Sequence, residues 1–80
     1  MTERERYKFI MKDSKKILRA KEDKIPYIRA TLSQMVTFIL RTKNPYYKFR
    51  LQNRFLSVYL YLEEMNEVEA NKMLKYLGLK

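Results

Sequence analysis

Asn44–Glu64, NPYYKFRLQNRFLSVYLYLEE, is the stretch that decides the fold. Asn44 is a good N-cap, since its side-chain oxygen accepts from the first free helical N–H groups. Pro45 suits the first helical position, where a missing N–H costs nothing. No Gly and no second Pro interrupts the stretch as far as Glu64. At about 3.6 residues per turn, Tyr47, Leu51, Phe55, Val58 and Leu62 fall on one apolar stripe. Phe49, Leu56 and Leu60 form a second stripe on nearly the opposite side. A helix apolar on two sides is usually flanked on both, so this one is expected at the centre of a bundle. Between the stripes runs a mixed strip of Tyr46, Arg50, Asn53, Arg54, Ser57 and Tyr61, the first place to look for a working surface.

On the N-terminal side lie two more helices. Thr2 and Glu5 have capping-box spacing. Tyr7, Ile10, Met11, Ser14, Ile17 and Leu18 then make a single apolar stripe, with a charged remainder. That charge reads mostly as a solvated face. A basic amphipathic helix can also lie on a membrane, but the comparable stripes farther along the chain are expected to cover this one. After a short break, where Asp23 can cap and Pro26 fits a first turn, the second helix buries Ile28, Leu32, Met35, Val36, Ile39 and Leu40. No charge occurs from Thr31 to Leu40. Either this helix is well surrounded, or Ser33, Gln34, Thr37 and Phe38 meet a partner.

On the C-terminal side, Asn66 and Glu69 repeat the capping-box spacing. Ala70, Met73, Leu74 and Leu77 form a buried stripe, and Gly78 sits where a left-handed C-cap residue belongs. The expectation is one all-α domain over residues 1–80, a compact bundle of four helices at about 2–22, 26–42, 45–64 and 67–77.

Composition limits the chemistry. The 80 residues contain no Cys and no His, so disulfides, thiolate metal sites and imidazole bases are excluded. There is no Gly-rich phosphate loop and no nucleophile elbow. Glu63, Glu64 and Glu67 read as a solvated corner rather than a cation site, because a Ca²⁺ loop needs other spacing. The sequence therefore predicts no enzyme, no metal, no cofactor and no small-molecule substrate. A 46% apolar content is too high for disorder. No apolar run is long enough to span a membrane, and the charged start has no signal-like core, so a cytoplasmic protein is expected.

The net charge of +9 favours a polyanion. Residues 1–62 carry 15 of the 18 basic side chains and 5 of the 9 acids. Arg41, Lys43, Lys48, Arg50 and Arg54 cluster without an acid among them. Arg41 and Lys43 also suit the negative end of the second helix. With Tyr46, Asn53 and Tyr61, these residues make the candidate surface: cations for phosphates or an acidic partner, rings for stacking. The start of the third helix is expected to add free N–H groups for an anion. The first helix is the other basic candidate. Glu67–Leu79 looks like the first half of a helix-turn-helix, but its recognition helix would have to follow Lys80, and a plain C-cap explains the same residues.

In length, helical pattern, excess of Lys and Arg, and Lys/Ile/Tyr-rich, Cys-free composition, the chain resembles the small basic helical subunits of the replicative B-family DNA polymerase in heat-loving archaea. Small viral or plasmid proteins from the same setting share these traits. The resemblance rests on no motif, so it carries over no residue. It implies a thermophilic, archaeal, non-catalytic accessory subunit in DNA replication, one that binds the polymerase and steadies it on DNA. The alternatives are a stand-alone DNA-binding transcriptional regulator and a structural interaction protein whose charge serves solubility.

Overall fold

Side-chain caps set the start of three of the four helices. The computed structural model describes residues 2–79, so Met1 and Lys80, the ends of the expected domain, lie outside the described residues. Among the described residues there are four helices and no strand: α1 (Glu3–Ala20), α2 (Ile25–Arg41), α3 (Pro45–Met65) and α4 (Glu67–Tyr76). The all-α bundle is as the sequence predicts, with ends shifted by a residue or two. Thr2 and Glu5 close a reciprocal capping box on α1. Asn44 accepts from the N–H groups of Tyr46 and Tyr47, and Asn66 from that of Glu69. Asp23 does not cap: Lys24 occupies the N-cap of α2 without a side-chain bond, and Pro26 carries the first turn. Two left-handed residues stop helices, Lys21 after α1 (φ 51°) and Gly78 after α4 (φ 73°).

Helix α3 touches each of the other three helices. Its face of Leu51, Val58 and Leu62 is fully buried, and against it pack Ile10 and Ile17 of α1, Ile28, Leu32 and Met35 of α2, and Ala70 and Met73 of α4. Tyr47 and Phe55, expected in the core, are half-buried at its margin, Phe55 stacked on Tyr59. Tyr7 stacks on Tyr47 with ring centroids 4.2 Å apart, and Phe38 and Tyr46 close around them. This aromatic cluster ties the start of α1, the end of α2 and the start of α3. Below it the Thr42 hydroxyl is buried and donates to Glu3 Oε1 at 2.8 Å.

Three expectations are corrected. Phe38 faces inward, not toward a partner, at 6% exposure, and Thr31 beside it is buried too, its hydroxyl donating to the Tyr27 carbonyl. Turning α2 to bury them swings Leu40 out to 78% exposure. The third correction is larger. The second stripe of α3 stays largely open: Phe49, Leu56 and Leu60 are 63%, 55% and 47% exposed, with only Phe49 bordering the groove to α1. Both α1 and α2 approach α3 from its other side, so the helix is central by contact but open along one edge.

Candidate functional site

The residues of the expected working surface divide into three groups once the chain folds. Arg54 and Tyr61 are engaged within the fold. The Arg54 guanidinium crosses to α1 and donates to the Met11 carbonyl and the Ser14 hydroxyl, both at 3.2 Å. Burial lowers its pKa from the ordinary arginine value, and the nearby Arg50 charge lowers it further. The Tyr61 hydroxyl donates to the Glu22 carbonyl at 2.9 Å, just beyond the end of α1, and Lys21 Nζ lies 5.6 Å from its ring centre. Burial, then the charges of Asp23 and Glu22, push that hydroxyl pKa up. These two side chains fasten α1 along α3, one near its middle and one near its end.

Arg50 and Asn53 form the second group. Both are exposed, and with Met11, Phe49, Arg54 and Ser57 they line a shallow groove between α1 and α3. The remaining candidates scatter. Arg41 is exposed beside Arg6, Glu3 and Thr42 at the corner where α2 ends. Lys43 is exposed in the adjoining loop. Tyr46 is exposed at the rim of the aromatic cluster. Lys48 stands two residues before Arg50, and two residues turn a helix by about 200°, so these cations point to opposite sides of α3. The start of α3 offers no free donor either. Asn44 Oδ1 takes the N–H of Tyr46 and Tyr47, the Asn44 carbonyl takes that of Lys48, and Pro45 has none. The expected anion site at this helix start is therefore already filled by its own cap.

The fold draws attention instead to α1. Met11 lies in the α1–α3 groove. Helical spacing puts Arg4 and Lys15 on Met11's flank of α1, with Lys8, Lys12 and Arg19 continuing the same row outward. All five are exposed. Among the described residues the only ion pairs join Glu69 to Arg29 and to Lys72, so none of this row is neutralised by a contact. The sequence showed these cations, but which flank of α1 faced solvent depended on where α3 would dock. Ser33, Gln34 and Thr37 of α2 line an open groove with Arg6 and Phe9 on another side of α1.

No group of Asp or Glu among the described residues could hold a metal ion, and no buried side-chain nitrogen or oxygen among them lacks a hydrogen-bond partner. No described helix is long and apolar enough to cross a membrane. No family model, curated protein or solved structure matches this chain. What the fold leaves exposed is a row of cations on α1, with Arg50 and Asn53 beside it.

Proposed function

We propose that the chain is a non-catalytic accessory subunit of a nucleic-acid-processing complex, which grips the phosphate backbone with the basic row of α1 and binds a protein partner, a DNA polymerase. The observation that supports this most is the row itself. Arg4, Lys8 and Lys12 are spaced i, i+4, and Lys15 and Arg19 repeat that spacing. Like charges so placed repel and destabilise a helix. None of them is in an ion pair among the described residues. A polyanion laid along the ridge would relieve that repulsion. The row extends about 22 Å along the axis, at about 1.5 Å per residue. Cations on flexible stems, with few base-reading groups beside them, suit phosphate contacts rather than sequence readout. The polymerase partner is the part of the reading that rests on compositional resemblance.

The test is DNA binding by fluorescence anisotropy across a salt series, with a Lys8→Gln/Lys12→Gln/Lys15→Gln variant. Affinity should fall steeply with salt, vary little with sequence, and drop about tenfold or more in the variant. The slope of log affinity on log salt should flatten by about 2–3, one counterion release per lost contact. A variant that binds as wild type refutes the α1 ridge. Strong preference for one duplex sequence would favour the stand-alone regulator, for which exposed Arg50 and Asn53 are the base-reading types present. Pull-downs with and without nuclease test the protein partner: one that survives nuclease supports an accessory subunit.

A further inference from the structure

The open edge of α3 carries a repeat that its own fold uses only at its start, where Tyr46 borders the aromatic cluster. Tyr46, Phe49, Asn53, Leu56 and Leu60 succeed one another at alternating steps of three and four residues. That is the a/d spacing of a coiled-coil seam: Tyr46, Asn53 and Leu60 at a, Phe49 and Leu56 at d. In the same frame the buried Leu51, Val58 and Leu62 fall at the back of the helix, against its own domain. Phe49, Leu56 and Leu60 are exposed while smaller side chains elsewhere are buried. Contiguous apolar side chains left open on a small domain mark a contact surface.

We propose that this seam pairs with the same seam of a second copy of the chain, antiparallel, about a two-fold axis between Asn53 and Leu56. In an antiparallel pair each a layer meets a d layer. Phe49 then packs on Leu60 of the second copy, and Asn53 beside Leu56 of the second copy. Charge selects this direction. The entry and first half of α3 carry Lys43, Lys48, Arg50 and Arg54 without an acid, whereas its end carries Glu63 and Glu64 without a cation. A parallel pair would set like on like. The antiparallel pair places Glu64 on the e flank that carries Arg50 of the second copy, toward the end where Lys43 enters that helix. The opposite flank pairs Gln52 with Tyr59, which is neutral. An interface that maps onto itself by a two-fold rotation closes, so assembly stops at a dimer.

The seam is short, so the interface falls below the usual area of about 1,600 Å². Two copies of charge +9 also repel. The dimer is therefore weak and reversible. Pairing also sets where the two α1 helices lie. Arg54 and Tyr61 fasten α1 on the e side of α3. In an antiparallel pair both e flanks lie on one side, so both α1 helices share one face of the dimer. The dimer stands without the DNA-binding reading.

Sedimentation equilibrium from about 1 to 300 μM tests it, since mass action drives a reversible dimer over that range. The mass should rise toward two chains. Leu56→Asp should hold it at one chain throughout, with unchanged circular dichroism at low concentration, because Leu56 is exposed. The chain has no native Cys to interfere with cross-linking. Phe49→Cys mixed with Leu60→Cys should form the mixed disulfide far faster than either variant pairs with itself. A monomer at every concentration overturns the proposal, as does a dimer indifferent to Leu56→Asp. Faster Phe49→Cys self-pairing overturns the antiparallel direction. If Leu56→Asp weakens DNA binding while the wild type stays monomeric, the stripe serves the ligand and not a second copy.

Discussion

Replacing Arg54 by Ala separates an arginine that holds the fold from one that serves a ligand. Its guanidinium makes two hydrogen bonds to α1, at 3.2 Å each. Bonds to a charged group contribute about 1.5–3 kcal/mol when fully formed, and neutral ones about 0.5–1.5. Three features put this pair at the low end. The distances are long, and the Met11 carbonyl already has its helical donor inside α1. The Ser14 hydroxyl donates to that same carbonyl, so no acceptor is orphaned when Arg54 goes. Third, the cation is disfavoured where it sits, by burial and by Arg50, and its removal relieves both. Against this, the aliphatic stem covers apolar surface that Ala would expose. The balance is a loss of about 1–2 kcal/mol, or about 4–16 °C of melting temperature for a domain of this size. Arg50→Ala, exposed and unpaired, should stay within about 0.5 kcal/mol. Urea titration followed by circular dichroism measures both. If Arg54→Ala shifts the midpoint no more than Arg50→Ala does, Arg54 is not a tie between α1 and α3, and the candidate surface does not divide into fastened and free residues.

Other outcomes rest on the same packing. Leu62→Ala should cost about 2–5 kcal/mol, since Leu62 is fully buried, while Leu60→Ala at low protein concentration should cost under about 0.5; thermal melts of the two compare the faces of α3 directly. Tyr61→Phe should lower the melting temperature slightly with the loss of its bond to the Glu22 carbonyl, and hydrogen exchange should quicken at the end of α1 first. The pKa values of Tyr27, Tyr59 and Tyr61 are all raised above 10.0, first by burial and then by nearby acids. A raised folded-state pKa gives stability that is complete below the unfolded value and lost as pH rises through the folded one. Stability should therefore decline above about pH 10, with tyrosinate absorbance rising as the helix signal falls; unfolding that begins well below that pH would refute the assignment.

The sequence made the inward half of each helix legible because apolar spacing and capping act locally. Thr2, Asn44 and Asn66 cap where their side-chain chemistry requires, and the stripe Leu51, Val58, Leu62 is buried as its period demands. What spacing cannot supply is the number of neighbours. Phe49, Leu56 and Leu60 have the same period whether a helix of the same chain or another molecule covers them. Phe38 shows the converse. It lies off the main stripe of α2, yet Tyr7 and Tyr47 build a socket for it from two other helices. Aromatic side chains are long enough to leave their own stripe, so their burial is decided by tertiary contacts rather than by periodicity.

Charge is harder to read from sequence than burial, for a related reason. Arg41, Lys43, Lys48, Arg50 and Arg54 are close in sequence, which suggests one site. The tight turn between α2 and α3 and the pitch of α3 disperse them: Arg41 stays at the corner, Lys48 and Arg50 point to opposite sides, and Arg54 turns to α1. A row running straight along one helix survives folding better than a cluster spanning a turn. The cations of α1 keep their i, i+4 spacing whatever α3 does, and only their solvent-facing flank depends on the fold. By fixing that flank, Arg54 also fixes where the row points: the cation that leaves the expected surface orients the one that replaces it. Loosening α1 should therefore disperse the basic row without removing a single charge from it. Arg54→Met keeps the stem while deleting the two bonds, and should weaken DNA binding through position as well as through one lost charge. Comparison with Arg50→Met, which removes the same charge without loosening α1, isolates the positional part. If the two variants lose the same affinity and the same salt slope, orientation of α1 contributes nothing, and only the number of cations matters.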